Sequence, residues 1–358
     1  MKPGRRICLA LMSSALVFGG LTLTQRAFAQ ASIWDAARDP RLRRAEQLLS
    51  RVETQFYEAA RARARARSGN TLLLLGLLGL DSDSLNDKAT ILAAIRLLEV
   101  NRATELPDSR LWFLLGRLYV AAGESPAELS RGRDVLEKAL RMAQSSPLAP
   151  NGWYELGILY ARLDDPAREY DAYTHALEAM WDPDRRASTF YNRCDTDTRL
   201  RKLKEAVSDC RTAISLAQDP MTQVLAYLAL GVALERSGDL PAGLKALAIA
   251  ANMRVPSTSV RLMDFVLALN EVFFVPPYEE AYIRGLTDMA VARSAPDPKI
   301  GAAAYKDAIG HFEEYLKRAE PDREPWVVNA RRLLETCQRE LAKLEKTQSA
   351  QSSAAITG

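Results

Sequence analysis

An eight-residue pattern, W-x-x-L-G-x-x-Y, occurs twice in this chain. Trp112, Leu115, Gly116 and Tyr119 spell it once, and Trp153, Leu156, Gly157 and Tyr160 spell it again. Self-similarity at a period of about 20–50 residues is the mark of a stacked repeat. One such unit cannot bury its apolar face alone, so neighbouring units must cover it. The pattern therefore predicts a surface that holds something, in preference to a single closed catalytic fold. It does not name what is held.

The rest of the chain reads as helix almost throughout. Ala, Leu, Arg and Glu are abundant, and apolar residues recur three and four positions apart. Residues 32–69 form an amphipathic pattern with Leu48, Leu49, Val52, Phe56 and Ala59 as its stripe. Arg61, Arg63, Arg65 and Arg67 follow. Every second residue advances about 200° on a helix, so these cations wrap around it. Two readings stay open: a solvated helix end whose charges suit the dipole, or a contact with anionic lipid or an acidic partner. The apolar run at 72–80 is too short to cross a bilayer, and is read as a buried helix of a degenerate first repeat. Its partner helix spans 84–101, with Ile91, Leu92, Ile95, Leu97 and Leu98 inward and Ser84 and Asp87 capping it. Asp81 and Asp83 do not make a calcium loop, because Leu85 fills a ligand slot and no glycine or closing glutamate follows.

The first thirty residues read as an address. Lys2, Arg5 and Arg6 precede an apolar stretch to about residue 23, and Ala27-Phe28-Ala29 offers a cleavage site. The stretch is short for a span and is interrupted by Ser13, Ser14, Gly19 and Gly20. Cleavage near Ala29 predicts a periplasmic or secreted bacterial protein. Removing residues 1–29 takes away Lys2, Arg5, Arg6 and Arg26 and no acid. The 48 basic residues of the whole chain then fall just below its 45 acidic ones. The basic balance thus belongs to the address, and nothing global points to nucleic acid.

Residues 108–253 resemble the tetratricopeptide repeat (TPR) family, in which each unit is a pair of antiparallel helices. The second copy of the pattern is the cleanest, with Tyr173 and Ala176 on its second helix and Pro183 closing it. The next unit is read from Tyr191, Asn192 and Arg193 through Ala206, Cys210 and Ala213 to Asp219 and Pro220. Another runs from Tyr227, Leu230, Gly231 and Leu234 to Leu247, Ala250 and Pro256. The unit opened by Trp112 carries Leu136 and Ala139 on its second helix. The resemblance implies an all-α, right-handed superhelical solenoid, with small residues where paired helices approach. Gly116, Gly157 and Gly231 are expected to meet alanines such as Ala176, Ala206 or Ala213. One unit has Cys194 where glycine is expected and Cys210 where a large apolar residue is expected. A disulfide between them and two buried thiols are both open, and Cys337 has no evident mate.

The expected organisation is a signal peptide at 1–29, a helical region at 30–107 with the degenerate repeat, and the TPR array at 108–253. Irregular and TPR-like helices with a capping helix fill 254–346, and a disordered tail fills 347–358. A small irregular insert is expected near 259–277, where Val272, Phe273, Phe274, Val275, Pro276 and Pro277 favour extended backbone. Ala308 and Phe312 are again TPR-like.

Nothing in the sequence spells chemistry. No G-x-S-x-G, G-x-G-x-x-G, Walker A or H-E-x-x-H motif occurs, and no cysteine pair has zinc spacing. His175 and His311 fall on separate second helices. The expectation is no catalytic residue, no cofactor and no metal. The resemblance places a partner groove on the concave face, lined by Phe113, Arg117, Tyr154, Ile158, Tyr191, Asn192, Asp195 and Leu228. Arg162, Arg199 and Arg236 take equivalent places in successive units and would align as a ladder on one edge. Such a ladder suits an acidic or extended peptide, though solvated arginines are the plainer reading. The polar set of chaperone-type carboxylate clamps is absent, since Phe113, Tyr154 and Ile158 stand in its places. The function expected is a scaffold holding a protein or peptide, with assembly of a cell-envelope complex as its setting. A self-associating structural component of the envelope and an enzyme with an unrecognised site are the alternatives. Membrane contact is not favoured.

Overall fold

The computed structural model describes residues 95–96, 109–146, 148–254, 261–267, 272–320 and 324–357. The expected signal peptide, the arginine-rich helix and the apolar run at 72–80 lie outside the described residues. Of the helix expected at 84–101, only Ile95 and Arg96 are described, and both are helical.

Helix pairs follow one another. α1 (Ser109–Ala122) pairs with α2 (Pro126–Met142), and α3 (Ala149–Arg162) with α4 (Pro166–Ala179). α5 (Pro183–Arg199) pairs with α6 (Leu203–Leu216), and α7 (Pro220–Arg236) with α8 (Leu240–Asn252). Short α9 (Leu262–Val266) leads to the pair α10 (Glu279–Ser294) and α11 (Pro298–Arg318), and α12 (Val327–Thr357) closes the stack. Each pair packs on the next. The all-α solenoid of antiparallel pairs is as the repeated pattern predicts.

The local signals explain where helices start. Asp165, Asp182, Asp219 and Asp297 each accept a backbone N–H of the helix that follows, and a proline opens that helix. An aspartate satisfies an otherwise orphaned donor, and proline loses no hydrogen bond at the first position. Pro183 and Pro220, read above as closing a unit, therefore open the next one. The turns between paired helices share a feature too. Asp164, Arg201 and Gly238 adopt φ of 57°, 61° and 95° at the same place in three successive turns.

Close approach of the paired helices differs from the expectation. The glycines of first helices do not face alanines. A Cβ on Gly157 would stand 2.4 Å from Tyr173, one on Gly116 2.3 Å from Leu136, and one on Gly231 2.4 Å from Leu247. Gly285 takes Phe312 in the same way. A missing Cβ leaves a hollow, and close packing rewards a large side chain that fills it. In the α5–α6 pair the hollow is filled by a disulfide between Cys194 and Cys210, whose Cα atoms are 5.5 Å apart. The interval from Gly157 to Cys194 to Gly231 matches that from Tyr173 to Cys210 to Leu247, so the cystine sits in register.

The core forms a series of clusters along the stack. Trp112, Leu118, Leu136 and Leu159 anchor it at α1–α4, the cystine and Leu230 at α5–α7, and Tyr282, Phe312 and Leu333 at α7–α12. Trp153 is partly buried and packs at the junction of two clusters. Cys337 is a buried free thiol.

The region near 259–277 is irregular, as expected. It holds an isolated bridge between Arg254 and Arg261, then α9, then non-helical residues 272–278 with a cis Val275–Pro276 peptide. This insert changes how the last pair joins the stack. α7 starts beside the start of α5, because the Asp184 carboxylate accepts from the N–H groups of Gln218 (2.6 Å) and Asp219 (3.2 Å). α10 starts beside the end of α7: Arg236 donates to Glu279 at 2.5 Å, and the Tyr282 hydroxyl to Glu235 at 2.6 Å. The insert has carried the chain from one edge of the stack to the other.

The C-terminal tail requires a correction. Disorder is expected over 347–358, yet α12 continues to Thr357. Residues 347–357 hold no glycine or proline, and extending a helix that packing has nucleated costs far less than starting one.

Candidate partner-binding site

The candidate residues recur at three- and four-residue intervals on the first helices α3 and α5, and Tyr154 and Ile158 also pack against Tyr173 and Ala176 of α4. Tyr154 is 9 % exposed, and its hydroxyl lies 3.5 Å from the Asn192 side-chain amide. The Arg185 guanidinium stands 5.2 Å from the Tyr154 ring. Ile158, Tyr191 and Asn192 are half-buried, and Asp195 is exposed. Burial pushes the Tyr154 and Tyr191 hydroxyls above their ordinary pKa, so both remain neutral. The Asp195 charge reaches Glu169, Arg236 and Glu279, which belong to three other helices. These residues make a mixed surface of phenol, amide, aliphatic and carboxylate groups between two stacked units.

Four residues expected in the groove are buried, Tyr154 among them in a cluster with Tyr173, Ala176 and Met180. Phe113 is 1 % exposed and fills the space beside Gly152, where a Cβ would meet its ring at 2.3 Å. Arg117 is buried, 3.7 Å from the Glu155 carboxylate. Leu228 is buried in one cluster with Leu262, Met263, Phe265 and Val266. Stacking pairs the first-helix residue Phe113 with a glycine of the next first helix. The insert covers Leu228. Neither follows from a repeat pattern that treats each unit alike.

The arginine ladder exists as a row, since Arg162, Arg199 and Arg236 end α3, α5 and α7. Its guanidinium groups are already committed. Arg162 donates to the Val120 carbonyl at 2.7 Å and to the Gly123 carbonyl, tying the end of α3 to the end of α1. Arg199 bonds Glu169 at 2.7 Å and Asp164 at 2.5 Å. Arg236 bonds Glu279 beneath the Trp326 ring, 4.7 Å from its centroid. The row is a set of bolts between neighbouring units. Neither a solvated ladder nor an open anion site matches that bonding.

The stacked pairs, with a glycine or cystine hollow in each, decide the architecture. The chain resembles the tetratricopeptide repeat proteins. No protein-family model matches it, and no curated protein does. Among solved structures, MamA is similar at 19% identity over 48% of this chain and 93% of that one, with a TM-score of 0.39. YrrB, described as a TPR protein with an unusual peptide-binding site, shares 17% identity over 66% of this chain and 96% of its own, with a TM-score of 0.35. The APC/C hetero-tetramer Cut9–Hcn1 shares 16% over 87% of this chain and 59% of that one, with a TM-score of 0.43.

Buried carboxyls join neighbouring helices of the stack. Glu169 is 2 % exposed, and burial raises its pKa to about 8 although Arg199 and Thr196 both donate to it. Asp209 accepts two hydrogen bonds from Arg193, at 2.6 and 3.1 Å. These groups hold helices in place. Among the described residues, no group of three His, Cys, Asp or Glu side chains is arranged to hold a metal ion. Among the same residues, no helix is long and apolar enough to cross a membrane. Two features of the site were not legible in the sequence. Arg185 joins Tyr154 only because α5 packs onto the α3–α4 pair, and Phe273 reaches Arg162 only because the insert crosses the stack.

Proposed function

We propose that this protein is a non-catalytic TPR scaffold that holds a protein or peptide partner in a groove lined by first helices. The observation that carries the reading is the surface between α3 and α5. There half-buried Asn192 offers hydrogen bonds, Ile158 and Tyr191 offer apolar area, and exposed Asp195 offers charge. Such a mixture, with a rigid stack behind it, suits an extended chain whose backbone needs donors and acceptors. The Cys194–Cys210 disulfide suits an oxidising compartment. It supports a setting outside the cytoplasm, where assembly of an envelope complex is the proposed role.

The test is photocrosslinking in cells from a reactive residue placed at Ile158. We expect a discrete captured protein whose yield falls about tenfold when Asn192→Ala and Asp195→Ala are combined, as loss of one or two buried contacts would give. Arg211→Ala, at an exposed position on second helix α6, is the control and leaves the yield intact. Equal capture by all three chains would remove the groove from the reading.

A further inference from the structure

We propose that Asp195 selects the partner of the groove, and that the partner is a peptide presenting a lysine or arginine side chain to it. The inference rests on the scaffold reading and names the chemistry of its partner. The charges of the first helices are largely matched from within the stack. Arg162 donates to two carbonyls, Arg199 bonds Glu169 and Asp164, and Arg236 bonds Glu279. Glu155 faces Arg117 at 3.7 Å, Asp184 accepts from the Gln218 and Asp219 backbone, and Arg193 bonds Asp209. Asp195 differs. It is exposed on α5, and among the described residues no hydrogen bond or ion pair reaches it.

The surrounding charge has the same sign. Asp195 acts on Glu169 of α4, Arg236 of α7 and Glu279 of α10. Even with Glu169 holding its proton, Asp164, Asp195 and Glu279 outnumber Arg199 and Arg236. The excess is negative. A row of arginines invites an acidic peptide, and its internal bonding reverses that choice. While the groove is open, water solvates Asp195. A partner that covers the carboxylate strips this water, and an apolar or acidic group returns nothing for it. A lysine or arginine replaces the water with a charge-assisted hydrogen bond. The cost to wrong partners and the gain to the right one together make a selector. Tyr191 and Asn192 lie four and three residues before Asp195, so they share its face of α5. Both are half-buried. The methylene stem of a basic side chain packs over the Tyr191 ring while its charged head reaches the carboxylate. The Asn192 amide, one turn away, serves the peptide backbone.

The test pans a phage-displayed library of random peptides against the full chain, its Asp195→Asn variant and its Asp195→Lys variant. We expect the unaltered chain to enrich peptides with a lysine or arginine at one fixed position. Asp195→Asn loses that preference, and Asp195→Lys puts an acidic residue in its place. An enriched peptide carrying a fluorophore, read by anisotropy, binds Asp195→Asn about tenfold more weakly than the unaltered chain. Added salt weakens binding to the unaltered chain more than to Asp195→Asn. Asparagine keeps the shape of aspartate, so a merely structural role for residue 195 would leave the preference in place. Enriched peptides without a basic position, a preference that survives Asp195→Asn, or no enrichment overturns the inference. Circular dichroism checks that the variants fold; if Asp195→Lys does not, Asp195→Asn decides against the same outcomes. A failed library leaves the scaffold reading standing, since crosslinking at Ile158 decides that one.

Discussion

Gly157 and Gly310 show what a single residue means in this stack. Both sit on helices, but their surroundings are opposite. A Cβ on Gly157 meets the Tyr173 ring at 2.4 Å, whereas a Cβ on Gly310 meets nothing within 4 Å. Gly157→Ala should therefore destabilise by about 1–3 kcal/mol, the usual range for overpacking. Gly310→Ala should stabilise by about 0.5–1 kcal/mol, because only the backbone freedom of the unfolded chain changes. Urea unfolding of both variants checks the pair. The sequence marks Gly157 as special through the eight-residue pattern. It gives no hint that Tyr173 is what the glycine receives, because that depends on how two helices are offset. The same holds for Phe113: its place on a first helix suggests a groove, and only the stacked Gly152 of α3 turns it into core.

Among the elements, the α5–α6 pair departs furthest from its neighbours. Its helices are joined by a cystine where the others rely on a glycine and a large side chain. The two half-cystines are 16 residues apart, and closing a loop of that size stabilises by about 3 kcal/mol. Replacing both cysteines with serine should cost about that much in a urea titration under oxidising conditions. Adding a reductant should lower the midpoint of the unaltered chain and leave the double variant where it is. A reductant-insensitive midpoint would show that the cystine only fills space. The pairing was open in the sequence between bond and thiols. Register decides it, since the helix offset that puts Tyr173 over Gly157 also puts Cys210 against Cys194. The insert is the contrasting element. Its irregular backbone was legible from the Phe, Val and Pro residues at 272–277. Its path across the stack was not, because the contacts that fix it, to Arg162 and Arg236, lie far away in sequence.

At the scale of the whole molecule, the buried carboxyls set a pH dependence. Burial raises Glu169 from its ordinary 4.5 to about 8, and Asp288 and Asp197 from 3.8 to about 7 and about 6. Each folded carboxyl keeps a proton that the unfolded chain has already lost in that window. Folding takes up protons there, so stability falls as pH rises from about 5 to about 8. His311, whose pKa burial lowers, opposes this below its ordinary 6.5, so the clearest decline lies above about pH 6.5. The midpoint of urea unfolding should be lower at about pH 8 than at about pH 6.5, and Glu169→Gln should flatten the difference. A midpoint that holds or rises would mean that Arg199 keeps Glu169 ionised throughout.

The amino-acid sequence alone determined that helices pair and stack, because apolar periodicity, helix caps and a repeated glycine are local properties that neighbouring residues enforce. It also placed the cysteines and the arginine row at equivalent positions in successive units. Whether those arginines face a guest or bolt one unit to the next was decided in three dimensions. Their acceptors, Val120, Gly123, Glu169, Asp164 and Glu279, come from other hairpins, and a guanidinium bonds whatever the curvature of the stack delivers to it.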